Sequence, residues 1–138
     1  MKTLPLILSL TLAVAPFAMS LAGDPPVAAK ACPEISAADL QKAIADKKVT
    51  VIDCNGTASF NEGHVPGAID FAAAKADLAS KLPADKSALI VSYCGGPECN
   101  AYKSGCDAAV ALGYTNISHM KVGISGWKAA KMPVEAAK

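Results

Sequence analysis

Two short aliphatic and β-branched runs, VTVID (Val49–Asp53) and the ALIVSY of Ala88–Tyr93, are each followed at once by a cysteine, Cys54 and Cys94. Between and after them lie stretches of helical composition. Runs this short and this apolar fit strands covered on both faces. Strands that alternate with helices build a parallel sheet with helices packed on both sides. In open α/β sheets, ligands and chemistry collect at the carboxyl ends of the strands. Cys54 and Cys94 both fall on that edge.

The other segments complete the alternation. SAADLQKAIADKK predicts a helix, with Ser36 as N-cap, Asp39 three residues on, and an apolar i, i+4 pair at Leu40 and Ile44. GHVPGAIDF is a turn leading into a short strand near Ala68–Phe71, and AAAKADLASKLP a helix ended by Pro83. Asn100–Leu112 is helical by composition and stopped by Gly113 as a C′ residue. TNISHM is a last strand and ISGWKAAKM a short closing helix; no internal repeat is present. The expected fold class is α/β, a small central parallel sheet flanked by helices.

The 138 residues suit one domain. Residues 1–22 read as a signal peptide: Lys2 in the n-region, an apolar Leu4–Val14, and small residues at Ser20 and Ala22, with cleavage after Ala22. Pro5 and Pro16 bound an apolar core shorter than the roughly 18–20 residues a membrane span needs, which disfavours an anchor. Residues 23–33, GDPPVAAKACP, read as a tether, and 34–138 as the domain. The expected destination is the periplasm, or outright secretion, with no membrane association once the signal is removed. Loss of Lys2 leaves the other lysines equal in number to the 12 acids, so no basic field draws the chain to nucleic acid or anionic lipid. All 13 basic residues are lysine, which excludes chemistry that needs a bidentate guanidinium.

Cys94 opens the loop CGGPECN, which feeds the helix starting near Asn100. Glycines free backbone N–H groups, and a helix N-terminus adds unsatisfied donors and a positive dipole end. Such a nest holds an anion and stabilises a thiolate, lowering a cysteine from about 8.5 to roughly 3.5–7.5. Cys94 is therefore the expected reactive thiol; the alternative is a small packing residue in a tight turn.

DCNGTASFNEGHVPGAIDF, IVSYCGGPECNAYKSG and AAVALGYTNISHMKVGISGWKAAKMPVE, taken in order, resemble the rhodanese-like family. They match its strand-ending Asp and Gly-His-Val-Pro-Gly-Ala turn, its cysteine loop before a helix, and its closing Gly-Ile-x-Gly-Trp. The resemblance spans about Ile35 to Glu135. It implies sulfurtransfer: a thiolate takes a sulfane sulfur from thiosulfate or a persulfide or polysulfide and passes it to cyanide or a thiol, which in a cell can belong to a protein. Carried over by position, Cys94 is the nucleophile, and the backbone of Gly95, Gly96, Glu98, Cys99 and Asn100 is the cradle; Pro97 has no N–H. No cofactor is implied. The family often has arginine where this chain has Asn55. Glu98 should repel an anionic donor and raise the Cys94 pKa, with Lys103 compensating. A neutral or protein-borne persulfide is then a better donor than thiosulfate. Phosphatase and arsenate-reductase relatives need arginine at the end of Cys-x5-Arg, and Asn100 stands there. A Walker-type loop fails because Tyr102 precedes Lys103-Ser104.

Exported thiols tend to pair, and five cysteines leave one over. Cys99 is a candidate resolving partner for Cys94, or simply supplies an N–H and points away. Cys54 is a second candidate partner, or a core residue. Cys106 suits surface pairing or packing, and Cys32 cross-links or stays free. The cysteine and histidine spacings form no zinc site. His64 reads as a turn brace, His119 as structural or exposed, Trp127 as core or a wall beside the loop, and Asp53 as a partner for the following turn. Two further functions stay open: a redox protein using Cys94 with Cys99 or Cys54, and a non-catalytic binding module.

Overall fold

Ser36 caps the first helix exactly where a hydroxyl is needed: its Oγ accepts from Asp39 N–H at 3.0 Å and donates to Asp39 Oδ2 at 2.6 Å. The acidic side chain thus closes on the capping hydroxyl itself. This helix, α1 (Ala37–Ala45), is the first helix of the computed structural model, which describes residues 32–137. The signal segment with its cleavage after Ala22, the tether up to residue 31, and Lys138 lie outside the described residues.

The remaining elements are β1 (Val49–Asp53), α2 (Thr57–Glu62), β2 (Ile69–Asp70), α3 (Phe71–Ala74), a 3-10 turn at Lys75–Asp77, α4 (Leu78–Lys81), β3 (Leu89–Tyr93), α5 (Tyr102–Ala111), β4 (Ile117–Met120) and α6 (Gly123–Ala129). The four strands form one parallel sheet in the order β2-β1-β3-β4. Asp53 pairs with Tyr93 and Tyr93 with Met120, so β1, β3 and β4 end level with one another.

Alternation along the strands divides the core in two. Ile52, Ile90 and Ile117 face Phe71, Leu78, Cys106 and Ala109 of α3, α4 and α5. Val51, Val91, Tyr93 and Met120 face Leu40 of α1 and Ile124 and Trp127 of α6. Each fully buried aliphatic of this kind contributes about 1.5–3 kcal/mol. Trp127 is core, and its indole N–H donates to Pro133 O at 2.7 Å.

Three segments depart from expectation. The stretch after Phe71 is two four-residue helices joined by a 3-10 turn, an arrangement that still points Phe71, Ala74 and Leu78 inward. Helix α2 has no counterpart in the elements read from the sequence; it buries no side chain, so it leaves no apolar periodicity to read. Cys32 and Pro33, read as the end of the tether, are hydrogen-bonded to β4. His119 N–H donates to Pro33 O at 2.8 Å, Ile35 N–H to His119 O at 2.8 Å, and His119 Nδ1–H to Cys32 O at 2.7 Å. His119 is accordingly buried, not exposed, and stacks on Tyr102 with ring centroids 4.1 Å apart. Cys32 is also disulfide-bonded to Cys106 of α5, with Cα atoms 6.4 Å apart.

Candidate active site

The apolar β3 run carries Cys94 to the carboxyl edge of the sheet, where it is 1% exposed. The loop from Cys94 to Asn100 is fastened beneath by the first turn of α6: Ile124 N–H donates to Cys94 O at 2.9 Å and Ser125 N–H to Gly95 O at 3.0 Å. This contact depends on Gly123, which has φ +61°; a Cβ there would overlap the Cys94 carbonyl oxygen and the Gly96 nitrogen. Gly123 is a site residue that residue chemistry alone did not single out. Its signal was its place in the Gly-Ile-x-Gly-Trp pattern.

Cys94 is joined to Cys99 by a disulfide across the loop, with Cα atoms 6.2 Å apart, inside the range such a bond spans without backbone movement. The expected standing thiolate is thus corrected: in this form the Cys94 sulfur is bonded to Cys99 and carries no free thiol. The expected cradle is corrected too. Cys99 N–H donates to Gly96 O at 3.0 Å, closing a turn over Pro97 and Glu98, and is not available to a ligand. Among the described residues, no acceptor engages the N–H groups of Gly95, Gly96, Glu98 or Asn100. Helix α5 starts at Tyr102, not Asn100; Asn100 and Ala101 form a lead-in turn, with Lys103 N–H donating to Asn100 O at 3.1 Å and Ser104 N–H to Ala101 O at 3.0 Å. Lys103 and Glu98 present exposed side chains.

Beneath the loop lies a buried polar network. Asp53 Oδ1 accepts from Asn55 N–H at 2.7 Å and Asn55 Nδ2 at 2.8 Å, and Asp53 Oδ2 accepts from Tyr93 OH at 2.5 Å. The same hydroxyl accepts from Val65 N–H at 3.0 Å. Burial, reinforced by the hydrogen bond to Asp53, pushes the Tyr93 phenol well above its ordinary value. Asn55 therefore turns inward to Asp53, and its Oδ1 would lie 3.3 Å from a Cβ on Gly95. Asp53 does brace the following turn; Tyr93 as its second partner was not foreseen, because an aromatic in a strand reads as packing.

Cys54 is the unpaired cysteine among those described. It sits one residue beyond the Asp53–Tyr93 pair, with its N–H donating to Tyr93 O at 2.8 Å. Its thiol lies 3.3 Å from Ser92 Oγ, on the α5 side of the sheet, where Gly105 leaves room for both side chains. Burial pushes the Cys54 thiol up, against the lowering effect of Ser92 and the Gly105 backbone. The structure does not join Cys54 to Cys94. His64 braces the turn: it stacks on Phe60, its Nδ1–H donates to Phe60 O at 2.7 Å, and its backbone pairs with Glu135.

Once reduced, the site offers one thiol at a strand end, a second thiol in the same loop, and loop amides that no acceptor engages among the described residues. That arrangement suits nucleophilic attack on sulfur followed by thiol–disulfide exchange.

Comparison with known proteins agrees with the geometry. A search of curated proteins returns no match. Among solved structures, the chain is similar to the rhodanese-like domain of an Anabaena protein, 27% identical with TM-score 0.60, covering 76% of this chain and 80% of that one. It is similar to a Bacillus halodurans protein, 25% identical with TM-score 0.60, covering 75% and 77%. It shares its fold with a thiosulfate sulfurtransferase from Pseudomonas aeruginosa, 18% identical with TM-score 0.65, covering 78% of this chain but 21% of that one. The model of the rhodanese-like domain matches residues 36–130, including all four strands, the Cys94 loop and α6, and the chain belongs to the rhodanese-like domain family.

Proposed function

We propose that this chain is an exported, periplasmic sulfurtransferase that carries sulfane sulfur on Cys94. The observation that supports it most is the setting of Cys94 at the end of β3, in a loop pinned to α6, with four loop amides that no acceptor engages among the described residues. After reduction, the Cys94 thiolate attacks the sulfane sulfur of the donor. The new bond is Cys94 Sγ–S, the donor's own S–S bond breaks, and sulfite or a thiolate leaves. A thiol or cyanide then takes the outer sulfur and returns the Cys94 thiolate. The amides stabilise the persulfide anion between the two steps. With Glu98 at the loop and no arginine in the chain, a neutral or protein-borne persulfide fits this site better than thiosulfate. The acceptor is a small thiol or one on a partner protein.

The test is intact-mass spectrometry of reduced protein mixed with donor. One sulfur atom should be gained on the Cys94 peptide and discharged by cyanide, with Cys94→Ser gaining none and keeping its fold. An equal gain in Cys94→Ser would remove Cys94 from the mechanism. The Cys94–Cys99 disulfide favours a second reading, a thiol–disulfide protein, in which the reduced chain exchanges with disulfides but takes up no sulfur.

A further inference from the structure

Within the sulfurtransferase reading, on which this step rests, we infer that Cys99 is the resolving thiol of the Cys94 persulfide, so that the chain releases hydrosulfide and is returned by a dithiol reductant. Three observations lead there. First, the Cys94 and Cys99 sulfurs are bonded in the structure, so Cys99 can reach the inner sulfur of a persulfide on Cys94. Second, Cys99 is held by its N–H to Gly96 O, and Cys94 and Gly95 are held by α6, so backbone hydrogen bonds fasten both ends of the pair independently of the disulfide. A partner fixed within one loop has an effective concentration far above that of a free thiol, commonly in the millimolar range or higher. Third, Cys94 is 1% exposed whereas Cys99 is partly exposed. An incoming reductant therefore meets Cys99 first.

The chemistry balances. Cys99 loses its proton to solvent, and its thiolate attacks Cys94 Sγ. The Sγ–Sγ bond forms, the bond from Cys94 Sγ to the outer sulfur breaks, and that sulfur leaves with the electron pair as hydrosulfide. The sulfane sulfur is reduced by two electrons and the two cysteines are oxidised to the disulfide seen here. A dithiol reductant, either a small dithiol or an exported protein dithiol, then attacks Cys99 Sγ. Cys94 leaves as the thiolate, and the second thiol of the reductant frees Cys99. Cys54 is a poor alternative resolver, since its sulfur is engaged with Ser92 on the α5 side.

A single-turnover experiment tests this. Protein reduced with dithiothreitol and freed of it is mixed with thiosulfate, and sulfite, hydrosulfide and cyanide-labile sulfur are counted per chain. If thiosulfate loads too slowly, glutathione persulfide replaces it, with released glutathione counted in place of sulfite. The native chain should release one leaving group and one hydrosulfide, retain no labile sulfur, and yield the Cys94–Cys99 peptide pair. Cys99→Ser should release the same leaving group, retain one labile sulfur, and yield at least tenfold less hydrosulfide. Labile sulfur retained equally by both proteins would overturn the resolving role and leave sulfurtransfer standing. No loading of Cys99→Ser by either donor would overturn sulfurtransfer, and the resolving step with it.

Discussion

Replacing Gly123 by alanine separates the energetics of the loop from those of the rest of the fold. At φ +61° an L-residue loses about 1–2 kcal/mol to backbone strain. The added methyl also overlaps the Cys94 carbonyl oxygen and the Gly96 nitrogen, which are backbone atoms that cannot rotate away. Relief requires α6 and the loop to part, which weakens Ile124 N–H to Cys94 O and Ser125 N–H to Gly95 O, each worth roughly 0.5–1.5 kcal/mol. The sum is a loss of about 2–5 kcal/mol. Gly113→Ala is the internal control: its φ is +88°, but nothing lies within 4 Å of its Cβ, so only the strain of about 1–2 kcal/mol applies. Urea denaturation of both variants gives the difference, and sulfur loading of Cys94 reads the loop. Gly123→Ala should lose more stability than Gly113→Ala and load at least tenfold more slowly, while Gly113→Ala loads normally. Equal stability losses with unaltered loading would show that the α6 contact does not hold the loop.

Other perturbations give further expected outcomes. Because the fold raises the Tyr93 pKa, its neutral form contributes stability in full below the ordinary value of 10.0 and loses it as pH rises beyond that; Cys54, raised from 9.0, acts in the same direction. Denaturation midpoints should therefore fall above about pH 9–10 at up to about 1.4 kcal/mol per pH unit for each group, and Tyr93→Phe should flatten the decline. Losing the Cys32–Cys106 bridge, with a sequence separation of 74, should destabilise by about 4 kcal/mol, whereas opening the Cys94–Cys99 bridge should remove about 2 kcal/mol, because the closed loop is short. Cys106→Ser and Cys99→Ser, compared in urea, check this ordering. Glu98→Lys should raise the kcat/KM for thiosulfate about threefold to tenfold while leaving a neutral persulfide donor unchanged; equal effects on both donors would contradict the electrostatic account of the loop.

The elements that place the site were legible because their causes are local. Val49–Asp53 and Leu89–Tyr93 are strands for the reason their side chains suggest, Ser36 caps the helix it precedes, and Gly113 takes the positive φ that ends α5. Helix α2 was not legible, since it turns no apolar face to the core. The buried tie between Asp53 and Tyr93 escaped notice because its partners stand 40 residues apart, and a hydroxyl in an apolar run carries no mark of its acceptor.

By itself, the order of residues determined a parallel α/β sheet and put Cys94 at the carboxyl edge of that sheet, since both follow from short-range preferences and alternation. It also confined Cys99 to the same loop, because five residues of separation leave little room to be elsewhere. Only the tertiary structure decided which thiols are joined, which amides remain unengaged, and that Gly123 rather than another glycine must lack a side chain. Those outcomes depend on atoms brought together by the β1-β3-β4 neighbourhood and the return of α6 beneath the loop, and contacts made across such distances are set by packing, not by the local chain.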